Sequence, residues 1–142
     1  PTGWKPGAQR FEVATSNYPL LEGLQAAIEY QHQWGNAEQR YQRICQLSQM
    51  LWSKLAELPN LRMVRQTPPD SGLVSFWVLV DGEPSPAMHK ALVENLEAQG
   101  VFLRTLLSPN CVRACVHYLT LESEALQLVQ TIQTTVQQLM DK

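Results

Sequence analysis

The eight residues Leu73–Val80, reading Leu-Val-Ser-Phe-Trp-Val-Leu-Val, form a nearly continuous apolar run rich in β-branched and aromatic side chains. A run of this length and make-up, bounded by turn residues, reads as a strand, and it is the strongest in the chain. Pro68, Pro69, Asp70, Ser71 and Gly72 precede it, and Asp81, Gly82 and Glu83 break it. Whatever else the chain forms has to cover this strand.

Helical spacing appears on both sides of it. Leu20, Leu21, Leu24, Ala27 and Ile28 recur at the intervals that place apolar side chains on one helical face, which predicts a helix over 20–35. Ser16 or Asn17 can cap its start, Pro19 suits its first turn and Gly35 its end. A second helix is expected over 36–58, with Tyr41, Ile44, Leu47, Leu51 and Leu55 facing inward and Pro59 stopping it. A short strand over 61–65 follows. Ser85 and Pro86 open a helix over 86–99 that Gly100 closes, strands are expected over 101–105 and 111–116, and Thr120 caps a last helix over 121–140. The order is helix, helix, strand, strand, helix, strand, strand, helix. Hairpin-length connections make this an α+β fold, with an antiparallel or mixed sheet covered by helices on one side.

The chain has 142 residues, 44% of them hydrophobic, which suffices for one buried core and not for two full domains. Eleven basic residues against 13 acidic give a net charge of -2, without the Lys/Arg excess that binding a phosphate backbone needs, so nucleic acid is not an expected partner. The longest apolar run is about five residues, far short of the roughly 20 that span a bilayer. No membrane association is expected, and the chain reads as cytoplasmic. Three cysteines, Cys45, Cys111 and Cys115, without a CxxC pair, suggest reduced thiols and neither a disulfide framework nor a metal site. The opening 1–17 stretch begins on Pro and is rich in Gly, Pro and polar residues, and reads as cut from something larger.

Arg104 and Arg113 stand out because each lies in or beside a strand of apolar residues. A planar guanidinium matches a carboxylate in a two-pronged geometry, so both are candidate anion ligands; an exposed edge position or a structural ion pair is the alternative. Thr15 and Ser16 stand at a helix start, where free amides suit a phosphate and where a simple capping role is equally at home. His117 and Tyr118 follow the strand bearing Arg113 and suggest an acid–base pair, or packing residues at a strand end. Cys115 is expected in the core. Cys111 stands near a loop and close to Arg113, with a passive thiol or a charge-stabilised thiolate as its readings. His32 and His89 have no partners at metal-ligand spacing.

Taken together, two stretches carry a resemblance. Gly7, Ala8, Gln9, Arg10, Phe11 and Glu12, then Thr15 and Asn17, follow the pattern G-A-x-R-F-E-x-x-T-x-N. Gly100, Val101, Arg104 and Thr105, then Val112, Arg113, Ala114, a His-Tyr pair, Thr120 and Glu124, are similar to a stretch that reads approximately G-I-x-x-R, then V-R-x-S-x-x-x-Y-N-T-x-E-E, with Ala114 and Cys115 where Ala-Ser is common. The chain thereby resembles the C-terminal part of class V aminotransferase-like, fold-type I pyridoxal-phosphate enzymes, and among these the cysteine/cystine C-S lyases related to cysteine desulfurases. The resemblance implies a loop from the large-domain and cofactor region over 1–17 and a small C-terminal α+β domain over 18–142.

It further implies that Arg113 binds the substrate α-carboxylate, that Arg104 helps hold substrate, and that Thr15 reaches across a homodimer interface to the cofactor phosphate. The substrate would be cysteine or cystine, undergoing β-elimination to pyruvate, ammonia and a sulfur product. Pyridoxal 5'-phosphate belongs to the full-length parent; none is expected in the isolated chain, because Lys5, Lys54, Lys90 and Lys142 match no Schiff-base lysine and no catalytic residue is assigned. A desulfurase would need a mobile thiol near Ser108 or Pro109, where none stands, which favours a lyase. A desulfurase, another enzyme of the family, or a free-standing anion-binding or interaction module are the alternatives.

Overall fold

The computed structural model describes residues 3–4, 7–11 and 17–141. Its contacts divide the chain into two compact units, 1–36 and 37–142.

The first unit contains a short 3-10 turn, Gly7–Phe11, and helix α1, Tyr18–His32. Asn17 caps α1 as expected, its Oδ1 accepting from the amide of Leu20 at 3.3 Å, with Pro19 in the first turn. The helix ends before Gly35. None of its residues is buried, and the apolar stripe of Leu20, Leu21, Leu24 and Ile28 lies exposed.

The second unit is an antiparallel sheet with three helices on one face. Helix α2 spans Ala37–Ala56, α3 Pro86–Glu97 and α4 Glu122–Met140. The strands are β1 (Leu61–Met63), β2 (Leu73–Val80), β3 (Glu83–Pro84), β4 (Arg104–Leu107) and β5 (Asn110–Cys115). They run in the order β1-β2-β5-β4, with β3 paired to β2, and every pairing is antiparallel. This settles the expected antiparallel or mixed sheet as antiparallel.

Period-two alternation sorts each strand into two faces. Val74, Phe76 and Val78 of β2, Val112 and Ala114 of β5, and Leu61 and Met63 of β1 turn to the helices. There they meet Leu47, Leu51 and Leu55 of α2, Leu92 and Leu96 of α3, and Val129, Ile132 and Val136 of α4 in one core. Phe76, Leu51, Leu92 and Ile132 are fully buried. Of the inward stripe expected for α2, Tyr41 is exposed and instead donates its hydroxyl to the Asp70 carbonyl at 2.7 Å.

Three local expectations shift. Strand β3 was not foreseen, because Glu83 and Pro84 carry no strand signal of their own; they pair only because the turn folds them onto Leu79 and Val80. Strand β4 begins at Arg104 and not at 101, since α3 ends in a left-handed Gly100 (φ 79°), with Val101 N bonding Leu96 O at 2.9 Å, and three further residues lead to the sheet. Thr120 does not cap α4. Its Oγ1 accepts from His117 N at 3.0 Å, and Glu124 receives the Leu121 amide at 2.8 Å.

Candidate functional site

Arg104 of β4 and Arg113 of β5 are direct cross-strand partners, and Arg113 pairs in turn with Ser75 of β2. Ser75, Arg113 and Arg104 therefore form a row across three strands on the face turned away from α2, α3 and α4. Residues opposite each other in an antiparallel pair have Cβ atoms about 5 Å apart, so the two guanidinium stems run side by side. Arg113 is half-buried and Arg104 exposed.

Among the described residues neither arginine forms an ion pair with a carboxylate. The ion pairs among the described residues are Arg43–Glu122, Lys54–Glu57, Arg65–Asp70 and Lys90–Glu94. Like charges placed opposite each other destabilise a ladder, so two cations in register are unfavourable there without a nearby counter-charge. An open cavity of about 430 Å³ lies over them, lined by Glu97, Phe102, Leu103, Arg104, Arg113 and Cys115. The structural ion pair that sequence allowed for these arginines is absent among the described residues.

The cysteines exchange their expected places. Cys111 is fully buried, and burial pushes its thiol above the ordinary range, against the opposing influence of the Arg113 charge and a hydrogen bond from Ser75. Cys115, expected in the core, is exposed. Both lie on the Arg113 face, as their spacing requires, but Cys111 has Leu106 of β4 beside it. Cys115 lies beyond the Arg104–Arg113 pair, where the registered pairing with β4 ends.

His117 and Tyr118 stack with ring centroids 4.0 Å apart, and His117 Nδ1 accepts from the Leu119 amide at 3.4 Å. That is a turn in which the histidine ring already has a backbone partner, and neither residue lines the arginine cavity. Among the described residues no group of three or more His, Cys, Asp or Glu side chains could hold a metal ion. No helix among them is long and apolar enough to cross a membrane.

Neither lysine among the described residues is placed as a pyridoxal ligand. Lys54 and Lys90 are exposed, spend their charge on Glu57 and Glu94, and do not line the cavity. Thr15, the residue that the resemblance assigned to the cofactor phosphate, lies outside the described residues, as does Ser16.

Sequence reasoning overlooked Ser75 and the contact of the buried His89 with the half-buried Asn110. His89 of α3 is wholly buried and its Nδ1 lies 2.7 Å from Asn110 Oδ1, while the Trp77 indole donates to the Asn110 carbonyl at 2.9 Å. A polar residue in mid-strand was the available signal for Ser75. Nothing local marks His89, because its partner is 21 positions away.

These features coincide with a known family. The class-V aminotransferase profile matches residues 1–138, and the chain belongs to that family. Among solved structures it is similar to a lysine-to-alanine mutant of C-DES with glycine covalently linked to the PLP cofactor, at 47% identity and a TM-score of 0.78. That match covers 94% of this chain and 33% of the other. It is similar also to the complex of the cystine C-S lyase C-DES with its reaction product cysteine persulfide, at 45% identity and a TM-score of 0.77, covering 94% of this chain and 34% of that one. The cysteine desulfurase CsdA from Escherichia coli shares the fold at 22% identity and a TM-score of 0.69, over 89% of this chain and 32% of the other. The chain thus spans about one third of the length of these relatives. No curated protein sequence matches it. The small α+β domain of a fold-type I enzyme, expected from sequence, is the fold found.

Proposed function

We propose that these residues form the substrate-gripping part of a pyridoxal-phosphate-dependent C-S lyase that acts on cysteine or cystine. The observation that carries this reading is the registered pair Arg104 and Arg113, in no ion pair among the described residues, beside a cavity large enough for an amino acid. Arg113, half-buried and flanked by Ser75, takes the α-carboxylate in the two-pronged mode; Arg104, nearer the edge, holds a second anionic or polar group of the substrate. Fixing the carboxylate orients the α-carbon, so the pair contributes position, and no proton transfer is assigned to it. The overall reaction is β-elimination to pyruvate, ammonia and a sulfur product. Its bond-breaking steps belong to groups outside the described residues.

Elimination is favoured over a persulfide-forming desulfurase by the β4–β5 connection. Leu107 pairs directly with Asn110, leaving a two-residue turn, Ser108 and Pro109, where a desulfurase would carry a mobile thiol. The nearest cysteine, Cys111, is buried with its thiol pushed up, the opposite of an activated nucleophile. Membership of the family, together with the similarity to C-DES, supports this reading over a free-standing anion-binding module. The same reading takes 1–17 as the cofactor-side segment and 18–142 as the small domain. It makes the enzyme a cytoplasmic homodimer in which Thr15 serves the partner's cofactor.

In the full-length holoenzyme, Arg113→Ala should raise KM for cystine about 10- to 100-fold, the loss expected for hydrogen bonds to a charged group. Arg113→Lys should recover little of it, because an ammonium cannot reproduce the planar fork. An unchanged KM removes Arg113 from the carboxylate role.

A further inference from the structure

The geometry points to His89 as a positioning residue for the arginine pair: by holding Asn110 from the helix side, it fixes the β4–β5 hairpin on which both guanidinium groups stand. This rests on the carboxylate-gripping reading above.

The β2–β5 ladder is registered from Leu73↔Cys115 to Phe76↔Val112. Past Val112, toward the hairpin turn, side chains take over. The Trp77 indole reaches the Asn110 carbonyl at 2.9 Å, and His89 Nδ1 meets Asn110 Oδ1 at 2.7 Å. Asn110 is therefore clasped by a strand residue through its backbone and by a helix residue through its side chain. It is also the first residue of β5 and the partner of Leu107 in β4, so a shift at Asn110 moves both strands of the hairpin. Arg113 lies three positions along β5, opposite Arg104.

The chemistry of His89 indicates that this contact is more than filling. Nδ1 is committed to the amide oxygen of Asn110, which leaves Nε2 as the ring's other polar atom. Nε2 is buried and finds no hydrogen-bond partner among the described residues. A buried unpaired nitrogen opposes folding, and an apolar side chain at position 89 would avoid it. The imidazole has its one polar contact at Asn110, and that contact tethers α3, which ends beside the cavity at Glu97, to the hairpin that carries the arginines.

The test compares His89→Leu, His89→Asn, Asn110→Ala and the double variant His89→Leu/Asn110→Ala in the holoenzyme, with Arg113→Ala alongside. His89→Leu and Asn110→Ala should each raise KM for cystine about fivefold to tenfold, the scale of one hydrogen bond, with kcat within about twofold. The thermal midpoint of His89→Leu should stay within about 4 °C of the parent, since the lost bond is offset by the removed orphan nitrogen. His89→Asn, which keeps a donor near the Nδ1 position, should restore KM, and the double variant should be no worse than either single one. Unchanged KM values in both single variants, or effects that simply add, overturn the inference. Should His89→Leu not fold, Asn110→Ala decides alone. If Arg113→Ala raises KM and these variants do not, only the positioning role fails; if Arg113→Ala also leaves KM unchanged, the carboxylate reading fails. A readout free of substrate completes the test: the Nε–H resonances of Arg104 and Arg113 should shift in His89→Leu and return in His89→Asn, and unmoved resonances overturn the inference whatever the enzyme acts on.

Discussion

At Gly72 the chain leaves no room for a side chain. A Cβ there would press on the Val116 carbonyl oxygen and lie 3.1 Å from Ile44 Cγ2, and the Gly72 carbonyl itself accepts from Val116 N at 2.9 Å. Backbone cannot swing aside as a long side chain can, so Gly72→Ala should cost about 1 to 3 kcal/mol in urea unfolding, the usual scale of overpacking. The two β5 cysteines give a second check. Iodoacetamide should modify Cys115 in the native chain and reach Cys111 only on unfolding; equal labelling of both contradicts the burial described. Asp70 gives a third. The hydrogen bond from Arg65 at 2.8 Å, aided by the backbone and by the cation's charge, holds the Asp70 carboxyl below the ordinary value. A lowered carboxyl adds stability that is present above its unfolded value and lost as pH falls through its folded one. Carbon-detected NMR should therefore show Asp70 titrating below other exposed carboxylates, and Arg65→Gln should move it back up. Residue identity was legible at all these positions. Room, burial and partner were not, since each is set by a segment distant in sequence.

Elements were legible where periodicity is strong. Strand β2 and helices α2, α3 and α4 follow from their apolar spacing, and Ser85 caps α3 as expected, accepting from Met88 N at 3.3 Å. The short strands were displaced or missed. Three or four residues carry too little pattern, and the pairing that defines them depends on where a turn delivers the chain. The helix side of the sheet makes the strongest stability forecast at this scale. Leu51→Ala, at a fully buried α2 position against the sheet, should lose about 2 to 5 kcal/mol in denaturant melts with activity retained by the folded fraction. On the opposite face, the register of β4 with β5 sets two cations against each other, so Arg104→Gln should raise the urea midpoint slightly while weakening substrate binding. A fall in both would show that Arg104 has a structural partner.

At the scale of the whole chain, the buried core among the described residues draws all its members from 37–142. A fragment of 37–142 should accordingly unfold cooperatively with a midpoint within about 4 °C of the 142-residue chain, followed by circular dichroism. A large drop would mean that 1–36 supplies stability the core does not reveal. The sequence by itself determined the elements with long apolar periods, the α+β class they imply, and the two guanidinium groups as the residues worth watching, because periodicity and residue chemistry are written locally. Only the tertiary structure decided that Arg104 and Arg113 stand opposite one another on one face, that Cys111 and not Cys115 is enclosed, and that His89 reaches Asn110. Strand register and burial are properties of pairs of segments, and a single residue's neighbourhood in sequence does not contain its partner.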